Sequence, residues 1–270
     1  MFNTDQLTTS GAEYVPVAAH SPVAGEIPPG RIPPWKRILD VAGVLLALPI
    51  LIPVGIALAA IIKIVSPGPA FFRQQRVGYL GKRFMCVKFR TMKVNSDTTV
   101  HQNHLKELMT VNGPTRKLDC KGDPRVIPGG FLMRSLGADE LPQVLNVLRG
   151  EMSLVGPRPC TPYEYDLLSL RHKRRCGAPP GLTGLWQISG KNRTTFEEMI
   201  NLDLHYVKHK SLWLDLKIIA LTPLAIMALV WEMRILRKSG LPQGPSLIKS
   251  RPVYEEKPAS RFPGTLPARE

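Results

Sequence analysis

Between Asp40 and Lys63 lie 22 residues, VAGVLLALPILIPVGIALAAII, without a single charge. A helix of that length crosses the hydrocarbon core of a bilayer. A helix buried in a soluble protein keeps a polar face, and this one has none. The segment therefore belongs in a membrane. Pro49 and Pro53 interrupt its middle. Each removes a backbone donor and clashes with the preceding turn. Two geometries remain open: a kinked helix that spans, and a helix broken near Pro49 that turns back. Charge favours the second. Arg31, Lys36 and Arg37 precede the segment, and Lys63, Arg73, Arg76, Lys82, Arg83, Lys88, Arg90 and Lys93 follow it, with no acidic residue between Asp40 and Asp97. Cationic flanks stay in the cytoplasm, and a re-entrant helix leaves both there.

A second apolar stretch, Ile218 to Trp231, has 14 residues and Pro223 inside it. That is too short to span. Trp213, Trp231, Arg234, Arg237 and Lys238 bracket it, and tryptophans and cations favour the headgroup layer. The expectation is a helix lying in the interface, over about 211–238, with a buried core helix as the alternative. The formal net charge of +15 calls for polyanionic partners. Beside a membrane it is explained by anionic lipid, at about 1 kcal/mol per Lys or Arg. Nucleic acid is not expected, because none of the usual recognition motifs is present. Cys86, Cys120, Cys160 and Cys176 have no CxxC spacing, so they read as reduced thiols rather than a zinc site. The Pro-rich stretches 1–34 and 240–270 read as disordered tails without a signal peptide. They leave 35–65 as the membrane helix and 66–239 as the catalytic body.

Within the body, Ala70–Gln74 and Arg83–Phe89 have strand character on either side of the Gly78–Gly81 turn, which predicts a hairpin. Farther on, a helix over 140–148 is expected, with Asp139 as N-cap, Pro142 in the first turn and Gly150 closing it. Asp139 and Glu140 have two readings. They are a cap and a solvated first-turn acid, or they are chemistry. A carboxylate at a helix start stays ionised where anions are welcome. An aspartate can attack phosphorus and divide one hard displacement into two, and a neighbouring glutamate can position a metal or accept a proton. Arg125, Arg134 and Arg158 lie within 20 residues of the pair, and guanidinium groups clamp phosphate oxygens. RHKRR (171–175) is a solvated basic face or a phosphate contact. PPGLTGLWQISGKNR (179–193) has the composition of a binding loop.

The motifs from Lys36 to about Gly240 resemble those of the bacterial sugar transferases, the monotopic phosphoglycosyl transferases. They are KRILD, SPGPAFFRQQRVG, KFRTM, DPRV, LGADELPQVLNVLRGEMSLVGPRP, PPGLTGLWQISGKN and SLWLDLKI, in that order. The resemblance implies a mostly helical α+β fold with a re-entrant helix, a small hairpin or sheet and interfacial helices, in the compact form without a preceding membrane bundle. It implies transfer of a sugar-1-phosphate from a UDP-sugar to undecaprenyl phosphate, with release of UMP, at the cytoplasmic face of the inner membrane. Such a step starts an exopolysaccharide, capsule or O-antigen repeat unit, and downstream glycosyltransferases are possible partners. By motif, Asp139 is the nucleophile and lies near a required magnesium ion, Glu140 assists, and Lys88, Arg134, Arg158 and Lys191 meet phosphate. Two positions depart from the common pattern. Leu48-Pro49 stands where many relatives have Ser-Pro, and Gly190-Lys191-Asn192 where many have Gly-Arg-Asn. Lysine keeps the charge but loses the bidentate fork.

Overall fold

A computed structural model describes residues 32–94, 123–190 and 194–239, with side chains as far as Trp231. The expected disordered tails fall outside these residues apart from positions 32–34, as do Lys191 and Cys120.

The first element, α1, runs from Pro34 to Val65, with proline at its first position, where a missing N–H costs nothing. It continues through Pro49 and Pro53 instead of ending at the first of them. Both halves of α1 pack on the body. Lys36, Asp40 and Val44 are buried towards one end and Ile62 at the other, while Pro49, Ile50, Ile52, Pro53 and Val54 between them are exposed. Val44 joins Val147 and Met152 in a cluster that Leu48 also covers. Leu48, the departure from Ser-Pro, thus contributes packing where a serine would offer a hydroxyl. Ile62 packs with Ala70, Phe89, Ile127 and Met133.

The hairpin follows. β1 (Phe71–Val77) pairs antiparallel with β2 (Arg83–Phe89), Phe71 opposite Phe89 and Val77 opposite Arg83. The second strand has the predicted bounds. The first extends three residues beyond Gln74, because Arg76 and Val77 turn inward. After α2 (Gly130–Leu136) comes a 3-10 turn, Ala138–Gln143, which continues into α3 (Val144–Arg149). β3 (Ser153–Val155) pairs parallel with β4 (Gly181–Thr183). Between them lie α4 (Pro162–Leu167) and α5 (Leu170–Lys173). The chain then forms α6 (Leu185–Ile188), α7 (Phe196–His209) and α8 (Leu212–Ser239). The architecture is mostly helical with two small sheets, the α+β class expected. One core cluster gathers Val155, Ala178, Leu185, Tyr206, Leu214 and Ile218.

The C-terminal apolar run is longer than its composition implied. Residues 212–231 are long and apolar enough to cross a membrane, as is α1. The helix expected over about 211–238 matches α8, but the apolar run within it was taken to start at Ile218, after Asp215 and Lys217. Asp215 is fully buried, however, and its charge is met inside the protein by Lys36 at 2.7 Å. The outer face of α8 exposes Leu212, Trp213, Leu216, Leu224, Met227 and Trp231. Its inner face holds Leu214 and Ile218 and a 2.7 Å hydrogen bond between Thr183 and Thr222.

Lys36 also corrects the reading of the basic flanks. Its ammonium donates to the Val155 carbonyl, the Tyr206 hydroxyl and Asp215, so all three donors are satisfied. Asp40, one turn later, accepts from Ser153 Oγ and the Leu154 N–H. Arg90 is buried and donates to the carbonyls of Ser66 and Pro67, closing the end of α1. Arg76 is buried as well. Three of the cations assigned to lipid headgroups are therefore interior, whereas Arg37, Lys63, Arg73, Lys82 and Lys93 are exposed.

Candidate active site

Asp139 is not the N-cap of a helix. The turn begins at Ala138 after Gly137, whose φ of 72° is left-handed. Pro142 has no N–H to reach back four residues, so the turn tightens, with Glu140 N–H donating to the Gly137 carbonyl. The regular helix α3 is only six residues long, too short for its dipole to dominate. The charge near the dyad is instead supplied by side chains. Lys88 Nζ on β2 lies 2.9 Å from Glu140 Oε1. Asp139 is buried at 7% exposure, and Glu140 is half-buried.

Asn146, fully buried on α3, fixes this register. Its amide nitrogen donates to the Met85 carbonyl at 2.8 Å and to Glu151, and its amide oxygen accepts from the Val87 N–H. One side chain thus holds the dyad's helix against the strand that carries Lys88.

Arg158 reaches the same place by a close crossing of two loops. A Cβ on Gly156 would stand 2.1 Å from the Pro179 carbonyl oxygen, and one on Gly181 2.1 Å from the Gly156 nitrogen. Only glycine permits that approach. It lays Gly-Pro-Arg-Pro against the Gly-rich loop, so that the Arg158 guanidinium sits 6.0 Å from the centre of the Trp186 ring, within cation–π range. Arg175 donates to the Arg158 carbonyl from behind.

These elements border a small open cleft lined by Arg76, Lys88, Glu140, Gln143, Arg158, Pro159, Gly181 and Gln187. Of the site residues read from the sequence, Lys88, Glu140 and Arg158 line it. Asp139 lies next to Glu140 in the chain, in the same turn. Arg134, in the last turn of α2, is not in the lining; its charge acts on Asp123. Arg125 also serves Asp123, with a 2.7 Å ion pair. That hydrogen-bonded guanidinium holds the Asp123 carboxyl down to about 2. The RHKRR run is structural where it is described. Arg175 is buried beside Asp203 and Glu164. Arg171 and His172 bind Glu197 on α7, and Lys173 covers the Tyr165 ring.

Arg76, Gln143 and Gln187 were not singled out as site residues in the sequence. The described residues hold no cluster of three or more His, Cys, Asp or Glu. The donor set is two adjacent carboxylates beside cations suited to phosphate. That suits magnesium, which takes one or two carboxylates and completes its shell with water and substrate phosphates.

Residues 32–229 match the family model described as bacterial sugar transferase. The chain belongs to the bacterial sugar transferase family. Among relatives in that family, the exopolysaccharide production protein ExoY of Sinorhizobium fredii is 41% identical over 191 residues, covering 68% of this chain and 81% of ExoY. The UDP-glucose:undecaprenyl-phosphate glucose-1-phosphate transferase of Caulobacter vibrioides is 39% identical over 206 residues, covering 73% and 72%. The galactosyl transferase CpsE of Streptococcus agalactiae serotype III is 43% identical over 189 residues, covering 69% of this chain but 41% of CpsE. The chain therefore spans most of the length of some bacterial sugar transferases and less than half of others.

Proposed function

We propose that this protein transfers a sugar-1-phosphate from a UDP-sugar to undecaprenyl phosphate, through a phosphoryl-aspartate, at the cytoplasmic face of the inner membrane. The observation that carries the reading is the Asp139–Glu140 pair at the edge of a cleft with Lys88, Arg76 and Arg158 in its wall. Relatives whose names describe undecaprenyl-phosphate sugar transfer support the same chemistry.

In the first half-reaction an Asp139 oxygen attacks the sugar-bearing phosphorus of the donor. The bond from that phosphorus to the bridging oxygen breaks, and UMP leaves with the electron pair. In the second half-reaction a phosphate oxygen of the polyprenyl acceptor attacks the phosphoryl-aspartate. The Asp139 carboxylate departs, leaving a diphosphate-linked lipid sugar. Arg158 takes phosphate oxygens while stacked on Trp186, and Lys88 holds Glu140 in place. Magnesium would be held by Asp139 and Glu140 and would supply charge neutralisation on the diphosphate. Lys191 and Arg134 are further phosphate contacts in this reading.

With a lipid acceptor, the packing of α1 supports a helix that enters the membrane and returns to the same face. Both ends of this helix touch one body while its middle is exposed and apolar. A spanning helix would carry one end to the far side. A helix that dips in and returns keeps both ends together.

UMP release tests the reaction. Purified protein with magnesium, undecaprenyl phosphate and a panel of UDP-sugars is expected to release UMP from one donor, and Asp139→Asn is expected to abolish it. Release of UDP would refute the mechanism.

A further inference from the structure

Arg76 lies in β1, among residues that otherwise build a hairpin. Arg76 is 6% exposed and lines the cleft together with Glu140. One terminal nitrogen donates to the Pro159 carbonyl at 3.1 Å and the other to Gln74 Oε1 at 2.6 Å. Both acceptors are neutral. Its Nε is buried and has no hydrogen-bond partner among the described residues, and no described carboxylate lies within ion-pair distance. Burial first, and then the neighbouring Arg158 charge, push its pKa down, against a smaller opposite pull from Glu164 and Glu140, neither of which is paired with it.

A buried guanidinium without a directly paired carboxylate, beside a second arginine, is costly. Native structures retain such a group where something else supplies the charge. The cleft wall has three cations, Arg76, Lys88 and Arg158, against one carboxylate, Glu140. Lys88 already serves that carboxylate. The two arginines are left facing the same space.

We infer that Arg76 is a phosphate-binding residue, which closes on a dianionic phosphate group together with Arg158. The inference rests on the proposed reaction only for the source of that phosphate, which is the nucleotide diphosphate or the lipid phosphate. Gln74 is the positioning residue that aims the fork.

The test uses the full chain in detergent, without magnesium, and inorganic pyrophosphate as probe. Calorimetry is expected to show binding to the wild type that weakens about tenfold in Arg76→Lys, which keeps charge but loses the fork. Gln74→Glu gives the guanidinium an internal carboxylate. It is expected to raise the thermal midpoint of the ligand-free protein and to weaken pyrophosphate binding about tenfold as well, since the partner competes for the same charge. A purely structural Arg76 would gain the stability and leave affinity untouched, and that result overturns the inference. Steady-state kinetics then locate the phosphate. A rise in KM for the UDP-sugar in Arg76→Lys assigns the nucleotide, and a rise in KM for the polyprenyl phosphate assigns the lipid. Loss of kcat with both KM values unchanged overturns the inference. If no UDP-sugar yields UMP with the wild type, yet pyrophosphate binding depends on Arg76, the proposed reaction fails and the clamp stands. If the wild type releases UMP while its pyrophosphate affinity is indifferent to Arg76, the clamp fails and the reaction stands.

Discussion

Single side chains do the joining in this protein. Asn146→Ala removes three hydrogen bonds at a fully buried position. It is expected to cost about 2–3 kcal/mol, since the Met85 carbonyl and Val87 N–H lose a partner, and to lower kcat as Lys88 and Glu140 slip. Denaturation in detergent and UMP release measure the two effects. Asp123 supports a pH prediction. Its folded pKa, about 2, is below the ordinary carboxylate value because Arg125 bonds to it. The stability it contributes is therefore present above about pH 4 and is lost as pH falls from there towards 2. Asp123→Asn is expected to flatten the acid limb of the thermal midpoint across that window, while an unchanged limb would place the acid sensitivity elsewhere. Asp139, Glu140, Lys88 and Arg158 were singled out because they stand in motifs that resemble those of the bacterial sugar transferases, and one cleft brings Lys88, Glu140 and Arg158 together. Asn146 and Arg76 were not singled out. An asparagine inside a short helix reads as a weak helix former, and its Met85 partner is 61 residues away. Arg76 meets Pro159 across 83 residues, so in the chain it is one more cation in a basic run.

Among the elements, β2 was readable to the residue because the Gly78–Gly81 turn ahead of it and its run of β-forming residues are local signals. The start of the dyad's helix was not, because Pro142 converts its first turns to 3-10 geometry and moves the cap to Gly137. α8 has the extent expected, but its apolar run was taken as beginning at Ile218 rather than Leu212. Hydropathy assigns Asp215 a cost that its pairing with Lys36 cancels. For α1, the prolines and the flanking charge pointed to a return towards the same face. Cysteines introduced at Ile38 and Ile64, both exposed, are expected to react with a membrane-impermeant thiol reagent from the same side of inverted vesicles. Among the described residues the native Cys86, Cys160 and Cys176 are buried, and Cys120 is replaced by serine for the experiment. Labelling from opposite sides would mean that α1 spans.

At the scale of the molecule, apolar surface and cationic surface lie together. Exposed Leu46, Ile50, Trp213, Met227 and Trp231 favour an acyl boundary, with the exposed lysines and arginines at the headgroups. High salt alone is expected to leave the protein in the membrane fraction and detergent to release it. Quantitative release by 1 M salt, where the screening length falls to about 3 Å, would contradict insertion. Lys36→Met is expected to destabilise the whole protein by about 3–5 kcal/mol, because Asp215 keeps its buried charge without its cation. Thermal unfolding would register the loss at both helices together.

The same pair sets a clock on biogenesis. Lys36 and Asp215 are separated by 179 residues, which takes about 10–35 s to synthesise at ordinary translation rates. For most of that interval the apolar segment already exists, while the ammonium beside it has not met Asp215. Water or lipid phosphate must hold it in the meantime. A chain interrupted before Asp215 keeps the Lys36 charge without its buried partner at the root of the membrane helix, where the finished protein has it fully buried. The incomplete product thus differs chemically from the complete one, at a place that a membrane protease could inspect.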